Sequence, residues 1–276
     1  MARTGLTVFT LKAAKAEAKR TGARVAKRDG RGLFYCALPS GGESWTQYAR
    51  VEEIMKDVAL GFRAHSGWTA MVGLCLEKNQ PRVLLRQRPK LVQEFTYKFR
   101  QPYHTAEKMP MDKAREFVSQ IESAATRLAE SAIRTAQLDL RKQGYELTCF
   151  GLPLGSARPL PSFEKILLSH ALVHTAEGEL FRRALIRASE QCQISGLTLA
   201  ERELVAIAAK TLKVDKNDLL VRLAKLGKPI GPPWSQDEKF AAMAAWLALL
   251  GGRKSRLTGP ANESPDSAGR HPNSAH

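Results

Sequence analysis

Residues 64–92, AHSGWTAMVGLCLEKNQPRVLLRQRPKLV, contain two runs rich in apolar and β-branched residues, separated by Lys78-Asn79-Gln80-Pro81. That pattern predicts a strand over 64–77, a tight turn and a second strand over 80–92. Downstream, Phe117, Ile121, Ala124, Ala125, Leu128, Ala132 and Ala136 recur at helical spacing, which predicts one long helix from Met111 to Gln143 closed by Gly144. Tyr145 to Leu154 reads as a buried strand, and Pro159, Pro161 and Ser162 open a helix running toward Cys192. GLTLAER (196–202) reads as a short strand, and 200–212 and 218–226 read as helices. Gly231-Pro232-Pro233 then breaks the chain before a last helix, Ser235 to Leu250, with Ser235 as its cap. Strands alternating with helices in this order predict a three-layer α/β domain over 56–250, built around one sheet.

The composition is globular: 43% of residues are hydrophobic and 25% charged, which excludes a wholly disordered chain, a collagen and a coiled-coil rod. Lys and Arg exceed Asp and Glu by 43 to 27, a net charge of +16. Neutralising phosphates releases counterions, so this excess points to nucleic acid as partner ahead of an acidic membrane surface. Cys36, Cys75, Cys149 and Cys192 form no C-x-x-C pair, which argues against a disulfide framework or a thiolate zinc site. The N-terminus lacks the apolar core of a signal peptide, and the longest apolar run, 240–250, is too short to span a bilayer. The expectation is a soluble cytoplasmic protein, with no membrane partner and no indication of its oligomeric state. Residues 251–276, rich in Gly, Pro, Ser and Asn, read as a disordered tail.

Residues 1–50 carry ten Lys or Arg against three acids. LTVFTLKAAKAEAKR (6–20) reads as a basic helix, and LFYCAL (33–38) and SWTQYAR (44–50) as strands around Ser40-Gly41-Gly42. Leu6-Thr7, Lys12-Ala13-Ala14-Lys15, Asp29-Gly30-x-Gly32-Leu33, Pro39-Ser40-Gly41, Trp45, Tyr48 and Arg50 together resemble the arm-type DNA-binding domain of phage-type tyrosine integrases. The resemblance covers about 45 residues and implies a small α+β module over 1–55 that binds DNA through Lys12, Lys15, Arg24, Lys27, Arg28, Arg31 and Arg50. Neither His170 nor His174 is followed by Arg at the third position, so the recombinase constellation is missing. The order of elements over 56–250 resembles the ribonuclease H-like superfamily. That resemblance implies two metal ions held by carboxylates, one acid near the first strand, where His65-Ser66-Gly67-Trp68 stands instead, and one on the last helix, where Asp237 stands.

The densest polar cluster is SHALVHTAEGELFRR (169–183), where His170, His174 and Glu177 fall at i, i+4 and i+7 on one helical face. Two readings compete: histidines paired to Glu177 or backbone carbonyls on a half-buried helix, or a metal or acid–base site completed by His104 or His65. On this pattern His65 opens its strand, the wrong end for a site at the carboxyl edge of an α/β sheet. Arg82, Arg86, Arg88, Lys90, Lys98 and Arg100 are interleaved with Phe95, Tyr97, Phe99 and Tyr103. This pattern suits phosphate contact with base stacking, and equally a strand with basic residues outside and aromatics in the core. GLPLGSARPLPS (151–162) has glycines and Arg158 before a helix but lacks Walker spacing. Asp237 suits the dipole of its helix as well as it suits catalysis.

These residues support two functions. The first is a DNA-binding protein of a mobile genetic element, Arg86 and Arg88 adding to the basic module, without recombinase catalysis. The alternative is a metal-dependent nuclease or other hydrolase of ribonuclease H-like fold, with Glu177 and Asp237 as catalytic acids and His170, His174 and Glu177 as ligands. A divalent metal is implied only by the alternative. In a third reading the N-terminal module is a fused remnant.

Overall fold

The computed structural model describes residues 8–23, 25–28, 33–41, 43–47, 55–155 and 159–257. The chain divides into two compact units, Met1–Met55 and Lys56–His276. In the first, helix α1 (Val8–Thr21) is followed by strands β1 (Val25–Arg28), β2 (Leu33–Ala37) and β3 (Glu43–Gln47), which form an antiparallel sheet in that order. Ala14 and Ala18 of α1 pack with Tyr35 and Ala37, so small side chains let the helix lie close. Lys12 is exposed, whereas Lys15 pairs with Glu43 at 2.7 Å. Lys27 and Arg28 fall on β1, and Arg24, Arg31 and Arg50 lie outside the described residues.

The second unit begins with β4 (Lys56–His65), a strand that the sequence pattern conceals. β5 (Trp68–Glu77) and β6 (Gln80–Gln87) come next as an antiparallel meander. Three helices succeed them, α2 (Tyr97–Arg100), α3 (Pro102–Ala106) and the long α4 (Met111–Lys142). After them stand β7 (Tyr145–Leu154), α5 (Phe163–Leu167), α6 (His170–Gln191), β8 (Ser195–Ala200), α7 (Leu204–Leu212), α8 (Lys216–Leu226) and α9 (Gln236–Leu257). The sheet order is β6-β5-β4-β7-β8, with β7 and β8 parallel to β4. First strand central, a meander on one side and parallel crossovers on the other: this mixed α/β domain has the strand order that the ribonuclease H-like resemblance implies. The expected second helix is broken into α5 and α6, and α9 runs past residue 250 to Leu257; residues 258–276 lie outside the described residues. No helix of the described residues is long and apolar enough to cross a membrane.

The pleat sorts the layers. Val58, Leu60 and Phe62 of β4 enter a core shared with α3, α4 and α6, while Ala59 enters the core beneath α7, α8 and α9. On that second face α9 approaches the sheet very closely. A Cβ at Gly61 would lie 1.7 Å from the Ala241 carbonyl oxygen, and one at Gly151 2.2 Å from that of Ala244. Alanines at 241, 242, 244, 245 and 248 complete this surface, all buried.

α9 starts with a capping box. The Ser235 N–H and hydroxyl both donate to Glu238 Oε2, at 2.8 and 2.7 Å, and the Ser235 hydroxyl accepts from the Asp237 N–H at 3.2 Å. Glu238 is fully buried and receives Arg88 Nε at 2.6 Å. Burial alone would push its carboxyl up, but Arg88 and the two Ser235 donors hold it down to about 2. Arg86 donates to the carbonyls of Gly231 and Pro233, both at 2.7 Å, tying β6 to the loop before α9. Both arginines expected at a DNA surface are thus engaged with this loop and helix start.

Gly61→Ala should lower stability by at least about 3 kcal/mol in urea unfolding, because backbone rather than a side chain must move. Gly144→Ala, with open space around it but φ of +80°, should cost only about 1 kcal/mol. Equal costs would contradict the close helix–sheet contact. Removing Arg88 by substitution with Ala leaves a buried unpaired carboxylate and should cost about 3 kcal/mol at pH 7, a loss that shrinks as pH falls below the ordinary carboxyl range.

Candidate metal centre

α6 begins at His170, and its helical repeat places His174 one turn on and Glu177 nearly another, on the face that meets α3. The Nε2 atoms of His170 and His174 are 3.1 Å apart. Pro102 at the first position of α3 starts a one-turn helix that carries His104 into the same place. The His104 ring centroid is 5.5 Å from that of His170 and 4.6 Å from that of His174, both edge-on. One nitrogen from each of the three imidazoles lies within 4.8 Å of the others. Two nitrogens at 2.0–2.1 Å from a tetrahedral ion stand about 3.3 Å apart, so the His170–His174 pair already has ligand spacing.

Glu177 lies beneath this group and outside it, being 2% exposed. Its Oε1 accepts the backbone N–H of Tyr103 at 2.8 Å and of His104 at 3.1 Å, and faces His104 Nδ1 at 3.2 Å. That contact makes Nδ1 the protonated nitrogen when Glu177 is ionised and leaves Nε2 free as a ligand, the carboxylate–histidine pairing of metal sites. Oε2 is buried with no hydrogen-bond partner. Burial pushes the Glu177 carboxyl up to about 7, against the lowering effect of the two backbone N–H groups. A positive charge on the imidazoles would relieve this buried, under-satisfied carboxylate. Neutral nitrogen donors suit zinc and its transition-metal neighbours and not magnesium, which requires oxygen.

Asp237 belongs to a different cluster at the carboxyl end of β4. Because β4 precedes the strand expected first, His65 closes a strand instead of opening one. The pleat then puts Arg63, two residues beyond Gly61, on the α9 face. Arg63 donates to Asp237 Oδ1 at 2.9 Å and to Glu201 Oε1 at 2.8 Å, and its guanidinium lies 4.6 Å from the Phe240 ring centroid. His65 Nε2 reaches the same Asp237 oxygen at 2.9 Å and stacks on Trp68 at 4.3 Å. A guanidinium therefore bridges the two carboxylates. Glu177 and Asp237 do not converge as one pair of catalytic acids: they face opposite layers, Glu177 among α3 and α6 and Asp237 beside Arg63. Sequence reasoning does not single out Arg63, because an isolated arginine in VALGFRAH carries no motif. Ser156 and Arg158 of the glycine loop lie outside the described residues.

No protein-family model and no curated protein matches the chain. Among solved structures, Thermus thermophilus RuvC in complex with a Holliday junction substrate is similar, with TM-score 0.41 and 10% identity over 72% of this chain and 96% of that one. A structure of Thermus thermophilus RuvC gives TM-score 0.39 and 12% identity over the same shares.

Glu177 binds its proton more tightly folded than unfolded, so between about pH 4.5 and 7 the metal-free protein should lose stability as pH rises. Glu177→Gln should flatten that slope, the difference from the parent reaching on the order of 3 kcal/mol by pH 8. Parallel pH profiles for the two proteins would show that the carboxylate is not held in this under-satisfied state.

Proposed function

We propose that this chain is a metal-dependent hydrolase of nucleic-acid phosphodiesters, with its metal held by His104, His170 and His174 and with Glu177 as the carboxylate behind His104. The observation that carries this reading is the convergence of three imidazoles from two helices over one buried carboxylate that has an orphaned oxygen. Three protein donors are the number found in catalytic rather than structural zinc sites, and His104, His170 and His174 would supply them. Held there by His104, His170 and His174, a zinc-class ion would supply a water-derived nucleophile near neutral pH and would polarise a phosphoryl oxygen.

The chain's own groups do the rest. Glu177 fixes the tautomer and orientation of His104, and the N–H groups of Tyr103 and His104 fix Glu177. His170 and His174, both exposed, present the centre to a macromolecular substrate. The net charge of +16 supports a polyanion in that role.

A second reading, nucleic-acid binding with a purely structural metal and no cleavage, is favoured by one observation. Asp237, the acid that the ribonuclease H-like resemblance places on the last helix, is paired here with Arg63, and His65-Ser66-Gly67-Trp68 stands where the resemblance implies the other acid.

Metal analysis of the purified full chain should give about one equivalent of zinc-class metal, and a His170→Ala, His174→Ala double variant close to none. Cleavage of duplex, branched or single-stranded substrates should stop on chelation, return with Zn²⁺ and be absent from the double variant. Equal metal content in the two proteins would refute the centre, and Mg²⁺-dependent cleavage surviving in the double variant would move catalysis to Asp237 and Glu201. Metal binding with no cleavage of any substrate selects the second reading.

A further inference from the structure

The segment between β6 and α4 departs from what a half-buried strand would give. Phe95 is 45% exposed and Tyr97 66% exposed, although burying such rings is among the strongest gains available to a folding chain. Their exposure is accompanied by ordered cations. Arg100 is held by its Nε bond to the Ser66 carbonyl at 3.2 Å, and its guanidinium carbon lies 4.4 Å from the Phe95 ring centroid. Lys90 Nζ stands 5.7 Å from the same ring, and Lys98 Nζ stands 5.5 Å from Phe99 and 5.6 Å from Phe117. Between this segment and α4 runs a groove lined by Gln93, Lys98, Phe99, Phe117, Gln120 and Arg127 among others, with no carboxylate in its wall. From Arg88 to His104 the one acid is Glu94, and Lys90, Lys98 and Arg127 form no ion pair among the described residues.

Solvent-exposed aromatic rings, cations placed against their faces and amides lining a groove are the components that recognise unstacked bases on a phosphate chain. The rings accept base faces, Lys98, Arg127 and Lys90 meet phosphates, and Gln93 and Gln120 offer donors and acceptors to base edges. A duplex has no use for this surface, since its base faces are stacked on one another and only edges and backbone are exposed. The segment also leads directly into α3, His104 lying seven positions after Tyr97.

We propose that residues 90–100, with the facing side of α4, form a binding track for single-stranded nucleic acid, with Phe95 and Tyr97 as its stacking platforms. The inference deepens the hydrolase reading by naming the strand state of its substrate, and it rests on that reading only for the cleavage of a strand once bound.

Fluorescence anisotropy of the full chain tests it, with labelled oligo-dT or oligo-U of about 15 nucleotides and a matched duplex, all in chelator so that no metal takes part. The parent should bind at least one single strand more tightly than the duplex. A Phe95→Ala, Tyr97→Ala double variant should lose about 30-fold or more in that affinity, with duplex binding changed less than threefold and the salt dependence unchanged. Phe95→Tyr should retain the parent affinity, and Lys98→Ala should reduce the salt slope by about 0.7 for a single strand. Because both aromatics are solvent-exposed, the double variant should unfold at the parent's denaturant midpoint, which separates a lost site from a lost fold. Parent-like single-strand affinity in the double variant, or a parent preference for duplex, overturns the track. Loss of the metal centre in the separate metal analysis leaves this measurement untouched, so the two readings fail independently.

Discussion

The contact on which the second unit depends is the approach of α9 to the sheet at Gly61 and Gly151, where no side chain of any size fits between helix and strand backbones. It requires glycine on β4 and β7 and alanine on α9 at the same places, and it fixes where α9 begins. That start is held by a capping box whose Glu238 is buried and depends on Arg88, with Arg86 securing the preceding loop. Two arginines that read as a nucleic-acid surface in the sequence are thereby part of the helix anchor. The same register carries Asp237 to the end of β4, where the pleat supplies Arg63. Packing, capping and the charge arrangement at the sheet's end are consequences of one close contact.

The two polar centres of this unit answer opposite electrostatic problems. At the end of β4 two carboxylates share a guanidinium, which offsets one of their two negative charges, and each has a partner in the chain itself. Beneath α3 and α6 a buried carboxylate faces one imidazole, with two more beyond, and one of its oxygens has no partner. The second centre would gain from an added cation, which is why we propose the metal at the histidines.

Local pattern makes much of the domain legible. The long helix from Met111 and its stop at Gly144, the buried strand 145–154 and the helix capped by Ser235 come from periodicity and turn chemistry, and alternation of strand and helix yields the ribonuclease H-like order. β4 escapes because KDVALGFRAH includes a glycine and an arginine, and what makes it a central strand is pairing on both sides, a property of distant residues. That omission reverses the apparent position of His65 and hides Arg63. The i, i+4 histidines are readable from helix geometry, and His104 is among the named partners, but the position of Glu177 behind His104 depends on how α3 packs on α6. In the stretch from Arg82 to Tyr103, alternation alone leaves core and surface undecided; the structure divides them, with Tyr103 buried and Phe95 and Tyr97 exposed.

The claim that three histidines form a metal centre is tested most directly by titrating the metal-free full chain with Co²⁺ and recording its visible absorption spectrum. A three-histidine centre should give the intense bands of a four-coordinate ion, saturating at one equivalent, displaced by Zn²⁺ and lost on His104→Ala substitution. A spectrum that stays that of the hydrated ion throughout the titration, or an unaltered spectrum in the His104→Ala protein, would contradict it.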